Sequence, residues 1–364
     1  MHKILLFGLW PILFLPIALP SFAASPFDRA QATSLVSAGA AHGLLLDIVS
    51  VPGSSRLIAV GEQGSILFSD DQGQQWQQAK APVAVLLTAV QMVTSQQGWA
   101  VGHDGVVLHT GDGGLSWQVQ LSGQDLLRVQ QQGLQQALDV AEQTENAAQS
   151  DDLQWLLEDV EFALDDGAMP TLLDLYFIDE QRGFVAGAYG RMFATLDGGN
   201  NWVSLGDRLP NPDRMHLNSL LLSTSGRLLV AGEAGLLVYS DDLGESWQTA
   251  ESPYEGSFFA LAERDRLYVL GLRGHLFSSA DGVNWQAESA GTDATLNAAV
   301  SASGKLYLLG QGGLVMKHQN NGFTPVSSQS RNSFAAGVLL DGRLILAGEG
   351  GITTLPLAEQ GGAQ

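Results

Sequence analysis

The chain has 364 residues, of which 38 are acidic and 17 are lysine or arginine, so its formal net charge is −21. This balance excludes nucleic acid as a partner, because phosphate contacts need clustered lysine and arginine. The chain contains no cysteine, which excludes disulfides, thiolate metal sites and a lipidated cysteine.

The first residues predict a secretory signal peptide at 1–23. A short basic start ends at Lys3, an apolar run extends from Ile4 to Leu19, and small residues precede the expected cleavage after Ala23. An uncleaved membrane anchor is the alternative. Prolines interrupt the run, and it is shorter than the roughly 20 apolar residues of a spanning helix. We therefore expect a periplasmic mature protein without a membrane span.

A glycine-containing turn follows an apolar strand seven times. The first glycines of these turns are Gly61, Gly102, Gly187, Gly232, Gly271, Gly310 and Gly348. Their spacings are 41, 85, 45, 39, 39 and 38 residues, so one interval holds a double period. A period near 40 with four short strands per unit is typical of a propeller. Residues 24–364 are thus predicted to form one all-β domain, a seven-bladed β-propeller of four-stranded blades.

An Asp-box (BNR) motif, S/T-x-D-x-G-x-x-W, follows the third strand of most units. Four stretches match it fully: Ser69 to Trp76, Thr110 to Trp117, Thr195 to Trp202 and Ser240 to Trp247. Ser279 to Trp285 is one residue short, and the sixth repeat keeps only Phe323 at the tryptophan position. The residues assigned a structural role are Asp71, Trp76, Asp112, Trp117, Asp197, Trp202, Asp242, Trp247, Asp281 and Trp285.

The chemistry of the box favours this structural role. The aspartate bonds amides of its own turn, glycine supplies a positive φ, and tryptophan fills the gap between blades. Calcium binding is the functional alternative, but a lone carboxylate falls short of the six or more oxygens that calcium prefers.

The seventh repeat ends without an Asp box after Ile352 to Leu355. We expect residues 33–37 to supply its missing outer strand and so close the ring, because closure removes an open sheet edge.

The double interval is explained by an insertion at residues 122–170, between the second and third repeats. Leucines recur at helical spacing in two stretches, which are separated by a break near residues 146–150, so the sequence predicts a helical hairpin. The leucine-rich positions are Leu126, Leu127, Leu134 and Leu138, then Leu153, Leu156, Leu157, Val160 and Leu164. The insertion holds eleven acidic residues and one basic residue, Arg128. It is either a solvated decoration or a docking element, since long insertions are often functional.

Propeller topology places the glycine turns and the insertion on one face, here called the glycine-turn face, and the Asp boxes on the opposite face. The candidate interaction residues near the channel on the glycine-turn face are Glu62, His103, Asp104, Tyr189, Arg191, Glu233, Arg273, His275, Gln311 and Glu349. Their mixture suits a peptide or polar ligand, and it also suits ordinary solvated loops.

A glycine turn in each unit, followed by an Asp box in most of them, resembles the photosystem II stability/assembly factor family of propellers. The likeness is most specific in the units Val60 to Trp76 and Val101 to Trp117. It implies a role in assembling a membrane-protein complex, as in oxygenic phototrophs, or an envelope protein in other bacteria. Photosynthetic members are associated with an arginine-rich patch, whereas the glycine-turn loops here offer only Arg191 and Arg273.

Asp boxes also occur in sialidases, so a glycan-binding or glycan-cleaving propeller is the second hypothesis. Tyr189 with Glu233 imitates the tyrosine–glutamate pair of those enzymes, but a third arginine is not evident. An inverting hydrolase needs two carboxylates roughly 6.5–9.5 Å apart, and the candidates are Glu62, Asp104, Glu233 and Glu349.

The histidines show no H-E-x-x-H or comparable metal-binding spacing, so the sequence predicts no metal site. It also contains no nucleophile elbow and no phosphate-binding loop. We expect a monomeric, non-catalytic protein without cofactor or metal. Its expected partner is a membrane protein or envelope complex.

Overall fold

The computed structural model describes residues 29–319 and 322–357. In this part of the chain the strands form seven antiparallel sheets, six of four strands and one of three. Every sheet keeps its strands in chain order. The prediction of an all-β, seven-bladed propeller is therefore confirmed. The predicted signal peptide, residues 1–23, lies outside the described residues.

Blades 1 to 4 contain strands β1 to β16. Blade 1 comprises β1 (Leu45–Ser50), β2 (Leu57–Gly61), β3 (Ile66–Ser69) and β4 (Gln77–Ala79). Blade 2 comprises β5 (Leu87–Met92), β6 (Gly98–Gly102), β7 (Val107–Thr110) and β8 (Gln118–Leu121). Blade 3 comprises β9 (Leu172–Phe177), β10 (Gly183–Gly187), β11 (Met192–Thr195) and β12 (Val203–Ser204). Blade 4 comprises β13 (Leu217–Leu222), β14 (Leu228–Gly232), β15 (Leu237–Ser240) and β16 (Gln248–Thr249).

Blades 5 to 7 contain strands β17 to β27. Blade 5 comprises β17 (Phe258–Glu263), β18 (Leu267–Gly271), β19 (His275–Ser279) and β20 (Gln286–Ser289). Blade 6 comprises β21 (Leu296–Ala302), β22 (Lys305–Gly310), β23 (Val315–Gln319) and β24 (Gly322–Pro325). Blade 7 comprises β25 (Phe334–Leu340), β26 (Arg343–Gly348) and β27 (Thr353–Pro356). The first strand of each blade contacts that of the next, so these strands line the centre.

Buried apolar clusters lie between neighbouring blades, and seven of them are formed by the described residues. In the cluster that joins blade 7 to blade 1, Ile345 and Ala347 pack with Leu45, Leu57 and Ala59. Burial of apolar surface is the main favourable term in folding. Side-chain packing between the first and last blades therefore closes the ring.

The prediction that residues 33–37 form the outer strand of blade 7 is wrong. Among the described residues, the last sheet ends at β27. The Ser34 N–H donates to the Ala81 carbonyl at 3.0 Å, and the Ser37 N–H donates to Gln78 Oε1 at 2.8 Å. These bonds hold the segment against the outer strand of blade 1 and the connection that follows it.

Residues just before β1 contribute to closure in a different way. The Ile352 N–H donates to the Ala41 carbonyl at 2.9 Å. Gly351, which has a φ of 75°, is so close to this carbonyl that a Cβ would overlap it. Gly64 meets the connection between blades 1 and 2 in the same manner. The segment around Ala41 therefore takes the place of a connection from blade 7 to blade 1.

The Asp boxes brace their own turns. In the second box, Asp112 accepts the Ser116 N–H and the Thr110 hydroxyl, each at 2.9 Å. The Trp117 indole donates to the Gly114 carbonyl at 3.1 Å. The aspartate and hydroxyl contacts recur in the boxes that begin at Ser69, Thr195, Ser240 and Ser279. Trp247 departs from the pattern, because its buried indole nitrogen has no hydrogen-bond partner.

The sixth repeat keeps the packing role of the missing tryptophan. Phe323, in β24, packs against the apolar cluster between blades 5 and 6. An aromatic ring therefore fills the inter-blade position even where the rest of the box is absent.

The insertion forms the predicted hairpin of two helices, α1 (Gly123–Gln143) and α2 (Ala147–Asp166). Ser122 caps α1 in a capping box with Asp125, and Asn146 caps α2. The break between the helices is shorter than expected and ends at Asn146. Buried leucines, valine and alanines pair the helices into a separate core.

No helix in the described part of the chain combines the length and the apolar character needed to cross a bilayer.

In the turn of blade 6, Gly313 has a steric role that the adjacent Gly312 lacks. Gly313 has a φ of 78°, and a Cβ there would overlap the main-chain oxygen of Ser330. Gly312 has a φ of 67°, but a Cβ there would point into open space. Ala234 occupies the equivalent position in blade 4 at a φ of 51°.

We expect Gly313→Ala to lower the free energy of unfolding by at least about 2 kcal/mol, because the main chain must move to admit the methyl group. Gly312→Ala, the matched control, is expected to change it by less than about 1 kcal/mol. Denaturant titration of both variants checks the difference. Equal losses would contradict the steric role of Gly313.

Candidate interaction face

The glycine-turn face brings the candidate residues of different blades to one side of the ring, as the strand order requires. The insertion rises from the same side, because Gly105 in the turn of blade 2 contacts both of its ends, Gly123 and Pro170. The Asp boxes lie at the opposite ends of the strands.

Three candidate glutamates bond to the backbone of their own blades. Each accepts an N–H from the residue that precedes the inner strand: Glu62 from Leu44 (3.0 Å), Glu233 from His216 (3.2 Å) and Glu349 from Ser333 (2.9 Å). These carboxylates thus fix the entry to the inner strand. This contact explains their repeat-phased position without invoking a ligand.

The tyrosine–glutamate pair considered for a glycosidase is separated by a histidine. The rings of Tyr189 and His216 pack edge to face with centres 5.1 Å apart. His216 Nδ1 lies 3.7 Å from Glu233 Oε2. The three side chains form a row in which Tyr189 is exposed and Glu233 faces the histidine.

Arg191 lies on the predicted face, but its side chain is buried. Its Nε donates to Gln130 Oε1 of α1 at 3.1 Å, and its Nη2 lies 3.9 Å from Asp159 Oδ2 of α2. Burial, followed by the nearby charge of Arg214, lowers the pKa of Arg191. Arg191 therefore fastens the hairpin to blade 3.

The blade 5 candidates lie beside an aromatic stack. The rings of His275 and Tyr254 are parallel with centres 4.0 Å apart, and His275 Nδ1 is 2.9 Å from the Leu272 carbonyl oxygen. Arg273 is exposed next to this stack. Of the two arginines that the sequence placed together, one is buried under the hairpin and the other projects from blade 5.

The remaining candidates lie on other blades. In blade 2, Asp104 is 3.9 Å from the guanidinium of Arg29, and His103 beside it is half-buried. Gln311 of blade 6 is exposed and borders the central channel.

Two half-buried carboxyl groups in the central channel were missed by the sequence analysis. The channel has a volume of about 620 Å³ and is lined mainly by inner strands. Asp47 accepts the N–H groups of Ile48 and Val90, each at 2.8 Å. Asp174 accepts those of Leu175 and Leu220, at 2.8 and 2.7 Å. Each carboxylate therefore links its inner strand to that of the next blade.

Desolvation in the channel makes these carboxyl groups weaker acids than an ordinary aspartic acid. It raises the pKa of Asp47 to about 6 and that of Asp174 to about 7, and it outweighs the hydrogen bonds that favour the charged forms. Ser219 occupies the same position in blade 4, where its hydroxyl accepts the Leu261 N–H at 3.1 Å. A neutral acceptor therefore serves at this position too. The sequence could have indicated these carboxyl groups, because a polar residue stands at the third position of an otherwise apolar inner strand.

Two side chains on the hairpin and its neighbouring loop form a further contact that the sequence analysis missed. Arg214, in the connection from blade 3 to blade 4, donates to Asp159 of α2 at 2.6 Å. Its guanidinium carbon lies 5.1 Å from the centre of the Trp155 ring. Beside this contact, a cavity of about 410 Å³ lies between α2 and the connection, and Trp155, Tyr189 and Arg214 are among the residues that line it.

Within the described residues, no group of three or more histidine, aspartate or glutamate side chains is arranged to hold a metal ion. In the Asp boxes, the aspartates already bond to groups of their own turns.

The family model for the photosynthesis system II assembly factor YCF48 matches residues 40–133 and 147–255, which is more than half of the chain. The chain belongs to this family. The gap in the match falls within the helical hairpin. The matched residues end shortly after blade 4.

Two curated relatives are chloroplastic photosystem II stability/assembly factors named HCF136. The protein from Arabidopsis thaliana is 27% identical over 172 residues, which are 44% of this chain and 42% of the relative. That from Oryza sativa subsp. japonica is 27% identical over 172 residues, with 44% and 41% covered. The chain thus spans less than half the length of these relatives.

Two solved structures share the fold. YCF48 bound to D1 peptide has a TM-score of 0.63 at 16% identity, covering 87% of this chain and 94% of that chain. YCF48 from Cyanidioschyzon merolae has a TM-score of 0.63 at 13% identity, covering 89% and 99%. Within the family fold, burial of Arg191 leaves Arg273 as the exposed arginine of the two expected in the glycine-turn loops.

The raised pKa values predict the pH dependence of stability. Because both carboxyl groups hold protons more tightly in the folded protein than in the unfolded chain, their contribution to stability falls as pH rises from about 4 to above 7. Asp174→Ser, which copies Ser219, should abolish the part due to Asp174, on the order of 2–3 kcal/mol between pH 5 and 8.

Urea titrations of the wild type and the variant at pH 5 and 8 measure this difference. Asp293→Ser, at an exposed aspartate, is the control and should retain the wild-type pH dependence. Identical pH profiles for the wild type and Asp174→Ser would contradict the assignment.

Proposed function

We propose that the protein is a periplasmic assembly or stability factor for a membrane-protein complex. It acts through protein–protein contact on the glycine-turn face and catalyses no reaction. Membership of the family supports the assembly role. A propeller of the same fold that holds a D1 peptide supports a polypeptide ligand.

The helical insertion favours the glycine-turn face as the contact surface. Gln130 and Asp159 of the hairpin contact Arg191 in the turn of blade 3. These contacts hold the hairpin in a fixed position on the glycine-turn face. Tyr189 and Gln311 are exposed on it. On the opposite face, the side chains of the Asp boxes are used mainly in their own turns.

Several polar candidate residues already bond to groups of the protein itself, which favours a role in protein binding over glycan cleavage. Three glutamates cap their own blades, and Arg191 is held under the hairpin. An enzyme that clamps a carboxylate would need these groups free to face a substrate.

Site-specific photo-cross-linking in the native host tests the proposal. A photoreactive residue at Tyr189 or Gln311 is expected to capture one membrane protein, identified by mass spectrometry, because both side chains project from the proposed contact surface. The same residue at Gln75 or Glu245, exposed in Asp-box turns, is the matched control and should capture it at least about tenfold less.

Deletion of the gene should also lower the amount of the captured complex on native gels. Equal capture from both faces would overturn the assignment of the face. Cross-links to soluble proteins only, with unchanged membrane complexes, would overturn the assembly role and direct attention to glycan arrays.

The location has its own measurement. N-terminal sequencing of the protein purified from its host is expected to begin at Ala24, because cleavage is predicted after Ala23. A protein that retains Met1 and the apolar run would contradict export by a cleaved signal.

A further inference from the structure

Two aromatic side chains of α2 are exposed, and one of them, Trp155, borders the cavity beside the connection from blade 3 to blade 4. Trp155 is 58% exposed and Phe162 is 69% exposed. The other tryptophans in the described residues are buried or half-buried. Trp155 and Phe162 are seven residues apart, so they lie on the same side of the helix at a separation of about 10 Å. Exposed aromatic residues arranged in this way are typical of a protein contact.

Acidic pairs surround both rings in the same seven-residue repeat. The pairs are Asp151–Asp152, Glu158–Asp159 and Asp165–Asp166. They lie three and four residues before and after each aromatic residue, which are the positions that neighbour it on a helix surface. Between Ala147 and Asp166, α2 contains no lysine or arginine. Apolar rings and negative charge therefore alternate along one stripe of α2.

The protein itself shows how this stripe holds a cation. The guanidinium of Arg214 lies 5.1 Å from the centre of the Trp155 ring and donates to Asp159 at 2.6 Å. Stacking on a ring together with a charge-assisted hydrogen bond is a favourable environment for arginine. Trp155 and Asp159 are four residues apart, and Phe162 and Asp166 repeat this arrangement seven residues later. Among the described residues, no lysine or arginine contacts Phe162 or Asp166.

We propose that this stripe of α2 binds a cationic amphipathic helix of the partner protein, one that carries lysine or arginine and apolar residues in a seven-residue repeat. The inference rests on the proposed function and specifies the segment that the partner contributes. The carboxylates select a basic segment. The repeat selects a helix, because residues seven apart share one side of an α-helix and not of an irregular chain.

The dimensions agree with a short helical segment. The stripe runs from Asp151 to Asp166, about 22 Å of helix. A partner helix of about four turns covers it, with its apolar residues on Trp155 and Phe162 and its cations between the acidic pairs. Aromatic contacts provide most of the binding energy, whereas the charges select a basic segment and accelerate association.

Binding of synthetic peptides to the full-length mature protein tests the inference. The probe is a peptide of about 21 residues in which lysine and leucine recur every seven positions on one side of the helix. One control peptide has the same composition in scrambled order, and a second has glutamate in place of lysine. Fluorescence anisotropy of a labelled peptide gives Kd. The ordered lysine peptide should bind at least about tenfold more tightly than either control.

Protein variants locate the site. Phe162→Ala is expected to weaken binding of the ordered peptide at least about tenfold, because it removes an aromatic contact. Leu196→Ala is the matched control, since Leu196 is 74% exposed but lies in an Asp-box turn. Removing two charges from the stripe by Asp165→Asn with Asp166→Asn should weaken binding more than Glu251→Gln with Glu255→Gln, which removes two exposed charges elsewhere on the glycine-turn face.

Equal binding of the ordered and scrambled peptides, or unchanged binding by Phe162→Ala, would overturn the proposal and leave only non-specific attraction to an acidic protein. Circular dichroism and thermal melting of each variant exclude unfolding as the cause of a loss. A photoreactive residue at Phe162 then separates the two proposals. Capture of the membrane protein from Tyr189 but not from Phe162 would overturn this inference alone, whereas loss of capture from every glycine-turn position would overturn the proposed function.

Discussion

The close crossing of main chains at the glycine turns is the constraint on which the rest of the structure depends. In blade 1, Gly64 has no room for a Cβ because the connection to blade 2 passes over it. At the junction of blades 7 and 1 the same space is filled by Ala41, which precedes the first inner strand. Blade 1 is thus held to blades 2 and 7 by main-chain contact on this face and by apolar packing through its body.

This constraint explains why a long insertion leaves the ring undisturbed. The two ends of the insertion, Gly123 and Pro170, meet over Gly105, where an ordinary connection would pass. The hairpin has its own apolar core, so its helices depend little on the blades beneath them to bury their apolar side chains. Its polar contacts through Gln130 and Asp159 set its orientation on blade 3. An insertion at this point can therefore differ in length and charge without changing the propeller.

The features that the sequence predicted well are those whose interactions lie within a few residues. An Asp box contains all its hydrogen bonds within eight residues, and the leucine spacing of a helix is equally local, so both were recognised. The burial of Arg191 depends on Gln130, which is 61 residues away, and no local pattern reports it. The expected strand at residues 33–37 failed for the same reason. Its position is decided by Gln78 and Ala81 of blade 1 and not by the unpaired edge of blade 7.

The carboxylates of this chain fall into two groups with opposite physical roles. Asp47 and Asp174 line the channel half-buried and tie inner strands together, at the cost of desolvation that raises their pKa values. The acidic pairs of α2 remain largely in solvent, where their charge carries little such penalty and extends outward over about a Debye length. A partner of opposite charge is then attracted before contact, while the rings at Trp155 and Phe162 decide whether it stays. The fold thus keeps the carboxylates that stabilise its centre apart from the acidic pairs of α2, of which Asp159 also binds Arg214 and anchors the hairpin.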